Sequence, residues 1–350
     1  MKKYLLLALL PLTAMAAPSL KGFEKTYQNW DLICDNTGTC NMAGYPEYYS
    51  EHPVSILFTR SAGEKAPVTA QLALLREDVG NKTAEIILNG QSLGIVPNIS
   101  EDGNAKLSEK QTTELLTALK GNASIEVVFG EFKEKVSDKG AAAAMLKMDE
   151  FQQRLNTPSA FIRQGKEKHA VLAPQAAPKI DAVSVKNRQT TELKHGEKQF
   201  DAVLALLRKS NRTNKNSENY CYALHKDDVW NKQITLYPLT KGKVLAEAIC
   251  LAGPYQSTYY YAVLDEKLSK VEQVLANKYN YADYDKDTHV LTVNGSFKGS
   301  GIGNCWSGQD AVWNGKTFIR TEEHTSGSCK GFAGGAWGGL LIFVSEMNVK

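Results

Sequence analysis

The sequence predicts an α+β chain, mostly antiparallel β, with two β-rich domains of sandwich or partial-barrel type and a few short helices. Three observations carry that reading. Short apolar stretches with strand periodicity recur between turns rich in Gly, Asn and Asp. The 350 residues are more than one core of ordinary size holds, so two are expected. The six cysteines, an even number, all lie beyond the N-terminal leader and read as a disulfide framework built in an oxidising compartment.

Residues 1–16, MKKYLLLALLPLTAMA, have the parts of a secretory signal peptide. Lys2 and Lys3 form the positive region, Tyr4 to Leu12 the apolar core, and Ala14-Met15-Ala16 the small-residue cleavage site. The apolar run is well short of the roughly 20 residues that span a bilayer. Cleavage near Ala16, a periplasmic or secreted location and no transmembrane anchor are expected. The leader also carries two of the charges behind a formal net charge of +3, and the near-neutral remainder gives no global electrostatic case for nucleic acid.

The first domain is expected over residues 17–165. In WDLIC, Trp30, Leu32 and Cys34 alternate with residues of the opposite face, the period of a half-buried strand. Asp35 to Thr39 carry turn residues, so Cys34 and Cys40 would close a small loop. Further strands are expected at Ser55–Thr59, Gln71–Leu75, Glu85–Leu88 ahead of an Asn89-Gly90 hairpin turn, and Ile125–Phe129. Ser108 with Gln111 has the form of a capping box before Leu115, Leu116 and Leu119, and Gly121 supplies a stop. A second helix is expected from near Ser137 to before Pro158. Its stripe of Ala144, Met145, Met148, Phe151 and Leu155 reads as core packing.

The placing of Trp30, Cys34 and Cys40, followed by the helix SDKGAAAAMLKMDEFQQRL, resembles the invasion associated locus B family of exported bacterial proteins. Over the full length the chain is similar to the family called domain of unknown function 1176, through CLAGPYQ at Cys250 to Gln256, the glycine-cysteine cluster near Cys305 and a tryptophan-glycine hairpin. The resemblance implies a periplasmic or secreted protein of Gram-negative bacteria and no established activity. Ser300, Asn304 and Trp306 stand where that family's cluster has an arginine, an aspartate and a glycine, which puts any borrowed ionic site in doubt.

Residues 166–215 read as a basic connector. From Arg163 to Lys215 there are twelve Lys or Arg against five Asp or Glu, with APQAAPK inside and a short helix expected at Phe200–Arg208. Contact with anionic headgroups is one reading of those charges. A solvated basic face is the plainer one, because prolines and acids dilute the run.

The second domain is expected over residues 216–350, with strands at Gln233–Tyr237, Val244–Cys250, Thr258–Leu264, His289–Val293, Ala311–Trp313 and Lys316–Arg320. Asn314-Gly315 is a strong hairpin signal. Tyr259, Tyr260 and Tyr261 put aromatic rings on both faces of one strand. Six cysteines allow fifteen pairings. Sequence order favours Cys34 with Cys40, Cys221 with Cys250, and Cys305 with Cys329.

The stretch GIGNCWSGQD, Gly301 to Asp310, offers a phosphate loop, a thiol nucleophile or a bridged bend. A phosphate loop must open a helix, and a hairpin signal follows instead. A nucleophilic Cys305 would have to stay reduced beside Cys329. The bend is the expectation. Asp283, Asp285 and Asp287 begin like a calcium loop, but Thr288 and Asn294 stand where the glycine and the bidentate glutamate belong. The aspartates remain only a weak metal candidate, and no cofactor is expected.

The leading functional expectation is a non-catalytic binding module whose partner is an envelope protein or glycan. Trp306, Trp313 and Trp337, with Arg320, His324 and Tyr255, are the binding candidates, presented partly by the tail GFAGGAWGGLLIFV. The alternative is a hydrolase acting on an envelope component, with His324, Glu322 and Glu323 or the Asp283 cluster as acid-base or metal groups.

Overall fold

The computed structural model describes residues 20–75, 83–211, 220–226, 232–253, 256–275 and 278–350. The first half begins with β1 (Phe23–Tyr27), β2 (Trp30–Cys34), β3 (Cys40–Gly44), β4 (Val54–Arg60) and β5 (Val68–Leu74). Then come β6 (Ala84–Leu88), β7 (Gln91–Val96), β8 (Asn104–Lys106), α1 (Glu109–Ala118), β9 (Ile125–Phe129), β10 (Phe132–Val136) and α2 (Ala141–Phe151). They form two antiparallel sheets, β1-β2-β3-β4-β5-β8 and β10-β9-β6-β7. Trp30, Met42, Phe58, Ile86, Val127, Leu115 and Met145 meet between the sheets and helices in one core.

Local chemistry sets these elements. Asp35 accepts from the backbone N–H of Thr37 at 2.8 Å and of Thr39 at 3.1 Å, which fixes the turn that the Cys34–Cys40 disulfide closes. Ser108 and Gln111 form the reciprocal capping box that starts α1. Asn89 and Gly90 both have positive φ, 51° and 81°, as the hairpin between β6 and β7 requires. The start of α2 lies later than expected, at Gly140, whose φ is 100°. A Cβ there would come within 1.8 Å of the Tyr27 carbonyl oxygen, so only glycine fits. Past α2, Arg60 donates to Asp149 at 2.8 Å and to Gln152 at 2.7 Å, wholly inside the protein. Asp149 also accepts from the N–H groups of Phe161 and Ile162, so the buried charges leave no orphaned partner at the carboxylate.

The basic stretch is structured along its described length. Its first part stays on the first half, where Gly63 donates to the Leu172 carbonyl and Gln175 to that of Thr37. Its remainder builds the second half through β11 (Lys179–Ala182), β12 (Thr191–Lys194) and α3 (Lys198–Ser210). The chain continues through β13 (Gln233–Pro238), β14 (Lys243–Ala252), β15 (Ser257–Asp265), β16 (Val271–Val274), β17 (Tyr281–Tyr284), β18 (Leu291–Lys298), β19 (Trp306–Trp313), β20 (Phe318–Thr325), β21 (Leu340–Val344) and β22 (Glu346–Val349).

Strands β12-β13-β14-β15-β16 make one antiparallel sheet and β17-β18-β19-β20-β21 another, neither of them closed into a barrel. Phe200, Val203 and Leu207 of α3 cover one face of the first of these sheets. On its other face, Leu245, Tyr261 and Val263 pack against Leu291, Val293 and Trp313 of the second. The second half is therefore a helix laid on a two-sheet sandwich. Alongside it, β11 pairs in parallel with β22, so the chain end is tied to the crossover between halves.

The tail beyond β20 does not stand free. Phe332, Ala336, Trp337 and Leu340 pack on Ile33, Ala43, Tyr45 and Leu57, which line the outer face of the first sheet. Strand β2 is consequently buried at all five positions, where the alternation predicted a half-buried strand. Among the described residues no helix is long and apolar enough to cross a membrane.

Candidate functional site

The three tryptophans proposed as one surface are separated. Trp313 is fully buried between the sandwich sheets, and its indole N–H donates to Thr240 Oγ1 at 2.9 Å. Trp337 is 5 % exposed and donates to Ser55 Oγ at 2.9 Å, beneath the tail. Only Trp306 is half-buried, donating to the Gly303 carbonyl at 3.0 Å with the Lys298 ammonium 5.4 Å from its ring. Two of the three rings expected to form a binding surface, Trp313 and Trp337, are thus engaged in internal cores, and Trp306 alone keeps part of its surface open. Tyr255 lies outside the described residues.

The glycine-rich stretch is the bridged bend. Cys305 is bonded to Cys329, and a Cβ on Gly299 would sit 2.5 Å from the Cys305 sulfur. Strand β19 follows directly at Trp306, so no helix N-terminus exists there to hold a phosphate. The expected third bridge is not formed: Cys221 and Cys250 are buried free thiols. The Cys221 sulfur donates to the Ile249 carbonyl at 3.8 Å, and the neighbouring Cys250 thiol together with burial pushes the Cys221 thiol far up.

Two of the three aspartates of the calcium motif are spent locally. Asp285 accepts from the N–H and hydroxyl of Thr288, and Asp283 from the Tyr281 hydroxyl at 3.0 Å. Among the described residues no group of three or more His, Cys, Asp or Glu is arranged to hold a metal ion.

Strand β20 divides its charged residues between two faces. Glu322 lies opposite Asp310 and Glu323 opposite Gln309, so these neighbours point to opposite sides. His324 Nδ1 and Glu322 Oε1 are joined at 2.9 Å on one side, where the ring crosses over Gly308; a Cβ there would lie 2.5 Å from Nε2. On the other side Arg320 pairs with Glu323 across a β-bulge, and its guanidinium lies 4.1 Å from the Phe343 ring centroid.

Arg320 and Glu323 open onto a cleft of about 870 Å³ that both halves border. Phe23, Ile342 and Phe343 give it apolar walls, and Glu24 of β1 reaches it from the first half. Glu24 accepts from Thr325 Oγ1 at 3.1 Å and is joined by no cation among the described residues. Although the residue is exposed, its carboxyl is flanked by protein. Burial raises its pKa, the Thr325 bond opposes this, and the negative charges of Asp31 and Glu323 add to the rise.

Strong contacts between the halves hold that cleft in shape. Asp31 accepts from the N–H of Ser328 at 2.6 Å and its hydroxyl at 2.9 Å. Asn36 reads the backbone of Val344 with both ends of its amide, at 2.8 and 3.0 Å. Both acid groups of the joint, Asp31 and Glu24, come from the first two strands. Sequence reasoning missed them because nothing local marks a strand acid as facing the other half of the chain.

The profile described as Protein of unknown function (DUF1176) matches residues 24–343, nearly the whole chain. The chain belongs to the DUF1176 family. No curated protein and no solved structure matches it. Two positions where this DUF1176 chain departs from the pattern expected of the family, Ser300 and Asn304, are joined by a side-chain hydrogen bond. A neutral pair thus occupies the place of the expected ionic one, beside the Cys305–Cys329 bridge.

Proposed function

We propose that this DUF1176 protein is an exported binding protein of the bacterial envelope that works without catalysis and takes its ligand in the interdomain cleft. The signal-like leader and the two disulfides support export. Export would also accord with a relation of the first half to the invasion associated locus B family, which we propose from the placing of Trp30, Cys34, Cys40 and α2. The observation that carries the binding reading is Glu24, an acid without a cation partner among the described residues, facing apolar walls inside a cleft of about 870 Å³. Concave, mostly apolar sites with few polar groups are where ligands are held. The chemistry fits a segment of an envelope protein that offers a basic side chain to Glu24 and an apolar neighbour to Phe23 and Ile342.

The test is site-specific photocrosslinking from position 21, at the cleft edge, in intact envelopes. A reproducible partner should be captured by the native chain and lost with Glu24→Lys, while the variant keeps its melting temperature. Capture that is indifferent to Glu24→Lys, or no capture at all, would overturn the reading.

The hydrolase reading has one observation in its favour, the 2.9 Å contact of His324 with Glu322. That pair lies on the face of β20 away from Glu323 and Arg320, so the expected convergence of both glutamates on His324 is not formed. Any hydrolysis of an envelope glycan or peptide abolished by His324→Ala would restore it.

A further inference from the structure

Glu247 stands where the sandwich calls for an apolar side chain. It lies on β14 two residues from Leu245, which is fully buried between the sheets, and directly opposite Tyr261 on β15. Strand alternation places Leu245, Glu247, Tyr259 and Tyr261 on one face, and the register of β13 adds Tyr237 opposite Leu245. From the facing sheet β17 contributes Tyr284, whose ring centroid is 6.3 Å from that of Tyr237. Tyr259 and Tyr261 are separated by 6.2 Å. Tyr237, Tyr259 and Tyr261 therefore gather about one carboxylate, while Tyr284 lies beyond Tyr237 and its hydroxyl donates to the Pro238 carbonyl at 2.6 Å.

The carboxylate is incompletely satisfied. Oε2 accepts a good hydrogen bond from Tyr261 at 2.7 Å, whereas Oε1 has only the Tyr237 hydroxyl at 3.4 Å. A carboxylate offers about four acceptor positions, so capacity remains. Glu247 is joined by no cation among the described residues, and burial raises its pKa against the effect of its tyrosine partners. Holding an acid there unpaired is costly. The site is not sealed: Glu247, Tyr237 and Tyr259 are each half-buried.

Tyrosine faces attract cations through the ring quadrupole, and a desolvated acid strengthens that attraction. The field of Asp283 adds negative charge at Tyr237. Arg188 is the charge of opposite sign that acts on Tyr284, yet it forms no ion pair with Glu247. A hard metal ion would need more oxygen ligands than one carboxylate and phenols supply. We propose that Tyr237, Tyr259, Tyr261 and Glu247 form a binding site for a small alkylated ammonium ion, separate from the interdomain cleft.

The experiment titrates the intact mature chain with tetramethylammonium chloride at constant ionic strength, reading saturation-transfer NMR of the ligand methyls. Tert-butanol serves as the neutral counterpart. Saturable binding of the ammonium is expected, with tert-butanol inactive and affinity about tenfold weaker in Glu247→Gln. Tyr237→Phe should retain binding, since it keeps the ring. Should Glu247→Gln fail to fold, Tyr259→Leu at the half-exposed rim carries the test and should weaken binding similarly. Absence of saturable binding, equal response to tert-butanol, or affinity unchanged in a folded Glu247→Gln or Tyr259→Leu variant would overturn the proposal.

Discussion

Replacing Trp337 by alanine separates a tail that glues the two halves from a tail that offers itself to a partner. The indole is 5 % exposed and packs in the cluster of Ile33, Tyr45, Leu57, Phe332 and Leu340. Truncating a buried aromatic to alanine costs about 3 to 5 kcal/mol. Loss of the indole bond to Ser55 adds little, because Ser55 Oγ still donates to the Gly44 carbonyl at 2.9 Å and is not orphaned. Each half has its own core, so the loss falls on docking between them. Urea unfolding of the native chain should be single, and that of Trp337→Ala should divide into two transitions. In native buffer, limited proteolysis should cut the variant between Gly331 and Gly339 while sparing the native tail. A stability loss below about 1 kcal/mol with the tail still protected would refute the reasoning, since it is what a surface residue shows.

Three further outcomes follow from buried charge and sulfur. Asp149→Ala removes the counter-charge of the buried Arg60 and leaves its Nη2 and the N–H groups of Phe161 and Ile162 without their acceptor, and should cost about 3 to 5 kcal/mol in chemical denaturation. Glu24, whose folded pKa lies above 4.5, holds its proton to higher pH in the folded than in the unfolded chain, so stability falls as pH rises from 4.5 through the folded value. Glu24→Gln removes that loss. Its melting temperature should gain on the native chain as pH rises from near 4.5, and a gain that shrinks instead would mean the Thr325 bond outweighs burial. Oxidised glutathione should close Cys221 with Cys250 by thiol–disulfide exchange, releasing two reduced glutathiones. Intact mass would fall by two hydrogens, and a stable glutathione adduct in place of that loss would show the sulfurs cannot meet.

The elements legible in the sequence are those whose signal is local. The capping box of Ser108 and Gln111, the turn at Asn89-Gly90 and the bend at Asp35 each involve residues a few positions apart, and each forms. The short helix expected at Phe200–Arg208 also forms, as the greater part of α3, because its apolar stripe needs only a sheet to lie on. What the sequence hid is which surfaces face one another. Lys179–Ala182, read as connector, becomes a strand only through β22, more than 160 positions away. Glu24, Asp31 and Asn36 look like ordinary strand and turn residues until residues 325 to 344 arrive over them.

The tail exposes the limit of composition as a guide to interfaces. Glycine, alanine and aromatic residues give a strap that lies flat and presents rings at small entropic cost, whether the surface beneath belongs to the same chain or another. The deciding information is on the opposing surface. Ile33, Ala43, Leu57 and Ala73 occupy the face of the first sheet that strand alternation assigns to solvent, and all four are apolar. A sheet apolar on both faces must be covered on both, and the core of the first half covers only one. The second cover had to come from elsewhere in the chain, and the aromatic, glycine-rich segment that carries Phe332 and Trp337 is the part that arrives. Glu24, at the edge of that cover and bordered by Phe23 and Ile342, accepts from Thr325 but is joined by no cation among the described residues, so its charge is what the internal contact leaves uncompensated.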